Sequence, residues 1–220
     1  MGLLTLKQGK LAYQLDFALY GTGIAAMGTI LLIASPPAEA LANSGCVLAA
    51  LVGWTAIEYA IHRFVLHGLE PFRRWHAAHH RHPCDLICSP TIFSASLIFA
   101  LVFLPALELA GSWHACALTF GILVGYFCYS VTHHATHHWR TKRAGTWLRR
   151  RKQWHAVHHH GQGHERCFGV TNEFWDRLLR SAPEPARPSS SERSARSHTD
   201  LSCECPQAVP SPAPRPETTA

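Results

Sequence analysis

Polar and apolar positions along the 220 residues are sorted into long blocks rather than alternating. Four apolar blocks stand out, at residues 17–35, 46–61, 92–110 and 113–131. Glu58 is the only charge in the second, Glu108 lies in the third, and His114 lies at the start of the fourth. A hydrocarbon layer about 30 Å thick takes about 20 residues of helix. Each block is therefore predicted as a membrane-spanning helix, the second continuing through residues 62–67. Buried helices of a soluble protein are the alternative, and four blocks with so little charge speak against it.

The cationic residues follow the same division. Lys7 and Lys10 precede the first block, and no further Lys or Arg occurs until Arg63. Arg73, Arg74 and Arg81 lie between the second and third blocks, none between the third and fourth, and the rest after the fourth. The positive-inside rule then puts both termini and the long connections in the cytoplasm. Short outside turns fall at residues 36–45 and around Gly111. The predicted fold is all-α and integral to the membrane, with four transmembrane helices forming two hairpins under a cytoplasmic cap. A competing reading takes Lys7, Lys10, the first block and Ala38 to Ala42 as a signal peptide. The charged region is long for one, and its removal would leave the other spans oriented as before.

Residues 1–180 read as one membrane-embedded domain. Residues 181–220 are rich in Pro, Ser, Ala and Arg without apolar periodicity, and are expected to be a disordered tail. The net charge of +6 tracks the topology, so no nucleic-acid partner is expected. The eight cysteines contain no CxxC pair, which argues against a thiolate metal finger or a thioredoxin-like motif. No disulfide framework is expected.

Histidine is the outlier, with 17 copies. Most fall in four clusters at the cytoplasmic ends of the blocks: His62 and His67; His76, His79, His80 and His82; His133, His134, His137 and His138; and His155, His158, His159, His160 and His164. Trp75-His-Ala-Ala-His-His80 is echoed by Trp154-His-Ala-Val-His-His159. Positions i, i+3 and i+4 of a helix share one face, so each HxxHH unit is expected to point its three imidazoles one way. His62 and His67, five apart, are expected to flank a centre or to reach two different metals. Neutral imidazole is the commonest protein metal ligand near neutral pH, and ten well-spaced histidines suffice for two ions. Imidazole suits Zn, Fe, Cu and Ni alike. Asp85, Glu165, Glu173 and Asp176 are nearby carboxylates able to orient a ligand.

The ordered motifs resemble the fatty acid hydroxylase family of membrane di-iron enzymes. The likeness rests on the His62/His67 pair, the His76-to-Pro83 stretch, Gly125 to His138, the second HxxHH, and the Phe168-to-Asp176 ending. It covers roughly residues 51–180. It implies ten metal ligands: His62, His67, His76, His79, His80, His133, His137, His155, His158 and His159. It implies two iron ions, with zinc as an alternative occupant after purification, and O₂ as co-substrate. Tyr129 falls at an aromatic position next to the site, implying substrate contact. Ser130 stands where this branch often has Asp, a departure. The implied activity is hydroxylation of a lipid acyl chain, with sterol or carotenoid oxidation as the alternative. No cytochrome b5-like segment occurs in the sequence, so electrons are expected from an external donor, cytochrome b5-like or a ferredoxin and reductase. The basic run from Arg140 to Lys152 is expected to mark topology or to hold anionic headgroups or that donor. A metal transporter or store would need polar ligands at mid-membrane. The blocks offer only Glu58, Glu108 and His114, near their ends. A zinc hydrolase would need fewer ligands than are present.

Overall fold

The computed structural model describes residues 9–86, 91–140, 145–160 and 165–183, with backbone alone at 91 and 92. Among the described residues all regular structure is helical. Helix α1 spans Lys10–Ala34, and a 3₁₀ turn at Pro37–Glu39 leads to α2, Ala40–Ala60. Without a break α2 enters a π-helical turn, Ile61–Leu66, before α3, Phe72–Arg81. Then come α4, Thr91–Ile98, a second π turn, Phe99–Phe103, and the long α5, Leu104–His138. Helices α6, Thr146–His159, and α7, Phe174–Leu178, complete the described chain.

Three stretches are long and apolar enough to cross a membrane: Lys10–Ala34, Pro37–Leu66 and the 46-residue Phe93–His138. The pattern of apolar blocks predicts four, and the difference lies at Gly111. A straight 46-residue helix would be about 69 Å long, roughly twice the hydrocarbon thickness. Gly111 interrupts it with φ 82° and ψ 174°, a conformation open to glycine because it has no Cβ. Ser94 and Tyr126 lie on opposite sides of Gly111, yet both meet Tyr20, one by a 2.7 Å hydroxyl hydrogen bond and the other by ring contact at 4.8 Å. The chain therefore doubles back at Gly111.

The pairing of helices also differs from two self-contained hairpins. Helices α1 and α2 hardly touch each other, and each packs on α5. Close approach of α2 and α5 depends on Gly121 and Gly125, one turn apart. A Cβ at Gly121 would lie 2.6 Å from Ala50 Cβ and 2.7 Å from the Val47 carbonyl oxygen. Small residues at this spacing let helix backbones come together where no water drives association. The core beside them is Ala50, Trp54 and Ile122, with Ile98, Val102, Leu118, Tyr126 and Tyr129 packed against it. Large apolar side chains point outward, including Leu32 and Leu109, each 87% exposed. On helices of this length such a surface marks a membrane protein.

Cys84 is disulfide-bonded, a link the sequence reading does not anticipate, whereas Cys46, Cys116, Cys128 and Cys167 are free. The expected tail begins at Ser181, and residues 184–220 lie outside the described residues. Ser181 itself is buried and is hydrogen-bonded to Tyr59 and Asp176.

Candidate metal centre

The four histidine clusters converge where α2, α3, α5 and α6 end together. The ten histidines expected as ligands separate into two groups of five. His62, His67, His76, His80 and His158 form the first, and His79, His133, His137, His155 and His159 the second. Within each group, one ring nitrogen per residue lies within 4.8 Å of all the others. The groups adjoin, with the His80 and His159 rings stacked at 4.2 Å.

Local helix geometry explains who goes where. In the π turn the His67 N–H bonds to the His62 carbonyl, five residues back. An i→i+5 turn brings residues five apart onto one face. His62 and His67 therefore serve the same group, which agrees with the expectation that they flank one centre rather than reach two. On α3 and α6 the HxxHH units divide. The i, i+4 pair His76/His80 enters the first group while His79 enters the second; His155/His159 enter the second while His158 enters the first. Residues i and i+4 lie about 40° apart around a helix, whereas i+3 sits about 60° to the other side of i. One face of about 100° can thus supply both groups, rather than all three imidazoles pointing to one. His133 and His137, again i, i+4, stay together in the second.

The spacing and protonation of these nitrogens suit metal ions. The Nε2 atoms of His62 and His76, His76 and His80, His67 and His158, and His137 and His155 lie 3.0, 3.1, 3.1 and 2.9 Å apart. Two nitrogens each about 2.1 Å from one ion at a right angle are about 3.0 Å apart. Burial, reinforced by repulsion from neighbouring imidazoles, holds His76, His155 and His159 below the ordinary histidine range and His79 down to about 4. These rings are neutral at pH 7 and present lone pairs. Both ring nitrogens of His79 and of His159, and Nε2 of His133, are buried without a hydrogen-bond partner. An unsatisfied buried polar group costs about 1–3 kcal/mol, and a shared cation removes that cost for several at once. The donor sets are all imidazole, so the residues present fit two transition-metal ions.

A loop absent from the expected ligand set supports the first group. His62 Nδ1 donates to the Phe168 carbonyl at 2.5 Å, and His158 Nδ1 to the Arg166 carbonyl at 2.7 Å. Carbonyls only accept, so each ring carries its proton on Nδ1 and keeps Nε2 as a lone pair. Asp176, fully buried, accepts the Phe168 and Gly169 N–H groups. Glu58 accepts those of Val170 and Thr171. Sequence reasoning missed the Glu58 role; its isolation as the sole charge of an apolar block, one turn before His62, was the available signal. Burial raises the Asp176 carboxyl above its usual value despite those hydrogen bonds.

The remaining candidates sort as follows. The Tyr129 ring stacks on that of His133, 7° from parallel at 5.9 Å, and also meets Trp54. Ser130 bonds the Tyr126 carbonyl of its own helix. His134 lies away from both groups, with Nδ1 3.1 Å from the Tyr13 hydroxyl, and His114 pairs with Glu39. Trp154 donates to Asp176. Within the basic run, Arg150 and Arg151 engage Glu173, and Lys152 donates to the Trp139 carbonyl at 2.5 Å. Those three are structural cations. His164 lies outside the described residues.

Comparison with known proteins places this arrangement. The family described as fatty acid hydroxylase matches residues 47–181. Dihydroceramide fatty acyl 2-hydroxylase FAH2 of Arabidopsis thaliana is 30% identical over 59% of this chain and 57% of its own length. Ceramide very long chain fatty acid hydroxylase scs7 of Schizosaccharomyces pombe is 32% identical over 59% of this chain and 40% of its own. Fatty acid 2-hydroxylase of Mus musculus is 30% identical over 66% and 41%. The chain thus spans about half the length of these relatives. In fold it is similar to a solved structure described as full-length scs7p with only the hydroxylase domain visible, with a TM-score of 0.68 at 23% identity, covering 84% of this chain and 71% of that one. With the family pattern matched across both histidine groups and the loop that braces them, the chain belongs to the fatty acid hydroxylase family.

Proposed function

We propose that this chain is a non-haem di-iron oxygenase that hydroxylates the acyl chain of a lipid, at carbon 2 as the names of its relatives state for them. The observation that carries the reading is the pair of all-histidine groups at the ends of helices long and apolar enough to cross a membrane. His62, His67, His76, His80 and His158 would hold one ion, and His79, His133, His137, His155 and His159 the other. Bound there, iron would supply the O₂-dependent oxidising power that an unactivated C–H bond demands, which redox-inert zinc does not. In the overall reaction one oxygen atom enters the C–H bond and the other leaves as water, consuming two electrons and two protons. The electrons come from an external donor of cytochrome b5 or ferredoxin type.

The protein's part is positioning and exclusion of water. The Phe168 and Arg166 carbonyls fix the tautomers of His62 and His158. Tyr129, packed between His133 and Trp54, supplies an aromatic wall for the acyl chain. Phe93–His138 crosses the membrane twice through the Gly111 reversal, which makes four passes. The Lys and Arg distribution supports cytoplasmic termini and a cytoplasmic metal site. Substrate then arrives from the bilayer and electrons from water.

The test is a lipid profile by mass spectrometry from one host under ¹⁸O₂, with a reductase chain present. The wild type is compared with His158→Ala/His159→Ala, which removes one imidazole from each group. The expected result is a lipid bearing one ¹⁸O in its acyl chain in the wild type alone. No labelled lipid from iron-loaded, expressed wild type would refute the proposal.

A further inference from the structure

We infer that the two histidine groups are built unequal: the loop gripped by Glu58 and Asp176 orients ligands of the first group alone, so the first group holds its metal the more tightly. The inference rests on the two-metal reading above.

Four consecutive backbone N–H groups, Phe168 to Thr171, all end on two buried carboxylates. Asp176 takes Phe168 at 2.9 Å and Gly169 at 2.8 Å. Glu58 takes Val170 and Thr171, each at 2.8 Å, and the Thr171 hydroxyl at 2.6 Å. Asp176 is further fixed by the Ser181 hydroxyl at 2.8 Å and the Trp154 indole at 3.3 Å. Hydrogen bonds to a carboxylate are stronger than neutral ones, so this segment is clamped from both sides. Clamping sets the positions of the Phe168 and Arg166 carbonyls, and through them the rings of His62 and His158, both in the first group. Glu58 and His62 stand one turn apart on a continuous helix, so clamp and ligand move together.

The second group is braced differently. Nδ1 of His79, His137, His155 and His159 is buried, and among the described residues none has a hydrogen-bond partner. A carbonyl accepting the outer N–H fixes ring orientation and raises the basicity of the ligating nitrogen. Such partners typically change metal affinity about 10–100-fold. These side-chain hydrogen bonds of Glu58 and Asp176 run to the loop, to Ser181 and to Trp154. The two carboxylates are positioning residues that act through the loop on one metal of two.

The test is metal release from the full-length, zinc-loaded protein into a colorimetric chelator. Wild type is expected to release two equivalents in two phases of equal amplitude, with rates differing about tenfold or more. His137→Ala should lose the fast phase and His62→Ala the slow one. Glu58→Gln and Asp176→Asn should accelerate the slow phase about tenfold and leave the fast phase unchanged. Thr171→Val, which removes the hydroxyl contact to Glu58 and a 3.2 Å hydrogen bond from the neighbouring Asn172 side chain but keeps the backbone N–H on Glu58, should accelerate it by a smaller factor and guards against misfolding of the carboxylate variants. A general structural role would speed both phases together. Two equivalents released in one phase, or equal acceleration of both phases in Thr171→Val, would overturn the inference. A wild type that binds fewer than two ions would instead overturn the two-metal reading.

Discussion

Replacing Gly125 with valine should separate α2 from α5 and loosen both histidine groups. A Cβ at position 125 would lie 2.7 Å from Trp54 Cβ and Cδ1. Comfortable carbon–carbon contact is about 3.5–4.0 Å, so the helices must part by about 1 Å even for the first carbon. Trp54 is 7% exposed and belongs to the only packed core between these helices among the described residues, so it has little room to turn away. Overpacking of this kind costs about 1–3 kcal/mol, and the two further methyls of valine favour the upper end. For a chain of this size that lowers the unfolding midpoint by about 5–10 °C. The strain also reaches the site, since α2 leads into His62 and α5 carries His133 and His137. Thermal unfolding and metal content are measured together on detergent-purified protein. Gly53→Ala is the control: nothing lies within 4 Å of its Cβ, and alanine is favoured over glycine in a helix by about 1 kcal/mol. A Gly125→Val protein that melts with the wild type, or a Gly53→Ala protein that melts as early as Gly125→Val, would refute the reasoning.

Two further predictions follow from charge and burial. Glu173→Ala strips the 3%-exposed Arg151 side chain of its ion-pair partner. Because the Glu58 and Asp176 carboxylates still favour its charge, the loss should sit near the low end for a broken buried pair, about 3 kcal/mol; an unchanged unfolding midpoint would contradict this. The metal-free protein should lose stability in mild acid. The folded state holds His79 near 4, whereas the unfolded chain takes up its proton near 6.5, so the stability present above 6.5 is lost as pH falls from 6.5 towards 4. His76, His155 and His159 shift in the same direction. Each adds up to about 1.4 kcal/mol per pH unit, so the midpoint at pH 5.5 should fall well below that at pH 7.5, and equal midpoints would contradict the burial of neutral rings.

Much of this was legible in the sequence because it depends on residue type and helical spacing. The apolar blocks, the cationic connections between them and the clustering of ten histidines are one-dimensional patterns. What stayed hidden depends on local deviations from a regular α-helix and on long-range contacts. The π turn at Ile61–Leu66 changes which face His67 occupies, and nothing in Ile-His-Arg-Phe-Val-Leu announces it. The division of each HxxHH unit requires two centres lying side by side, which spacing on one helix does not reveal. Glu58 reaches a loop more than a hundred residues away, so its partner is invisible to any local reading. Gly111 was placed correctly as a turn, but the packing of α2 on α5 depends on Gly121 and Gly125 meeting Ala50 and Trp54. Small residues look unremarkable inside an apolar block.

The most direct test of the two-group account is metal counting by elemental analysis on purified, iron-reconstituted protein. The account predicts two ions per wild-type chain and one per chain in each of two double variants. His67→Ala/His80→Ala should empty the first group alone, and His133→Ala/His137→Ala the second alone. A single ion in the wild type, or the loss of both ions from either variant while the fold is intact, would contradict two separate five-histidine centres.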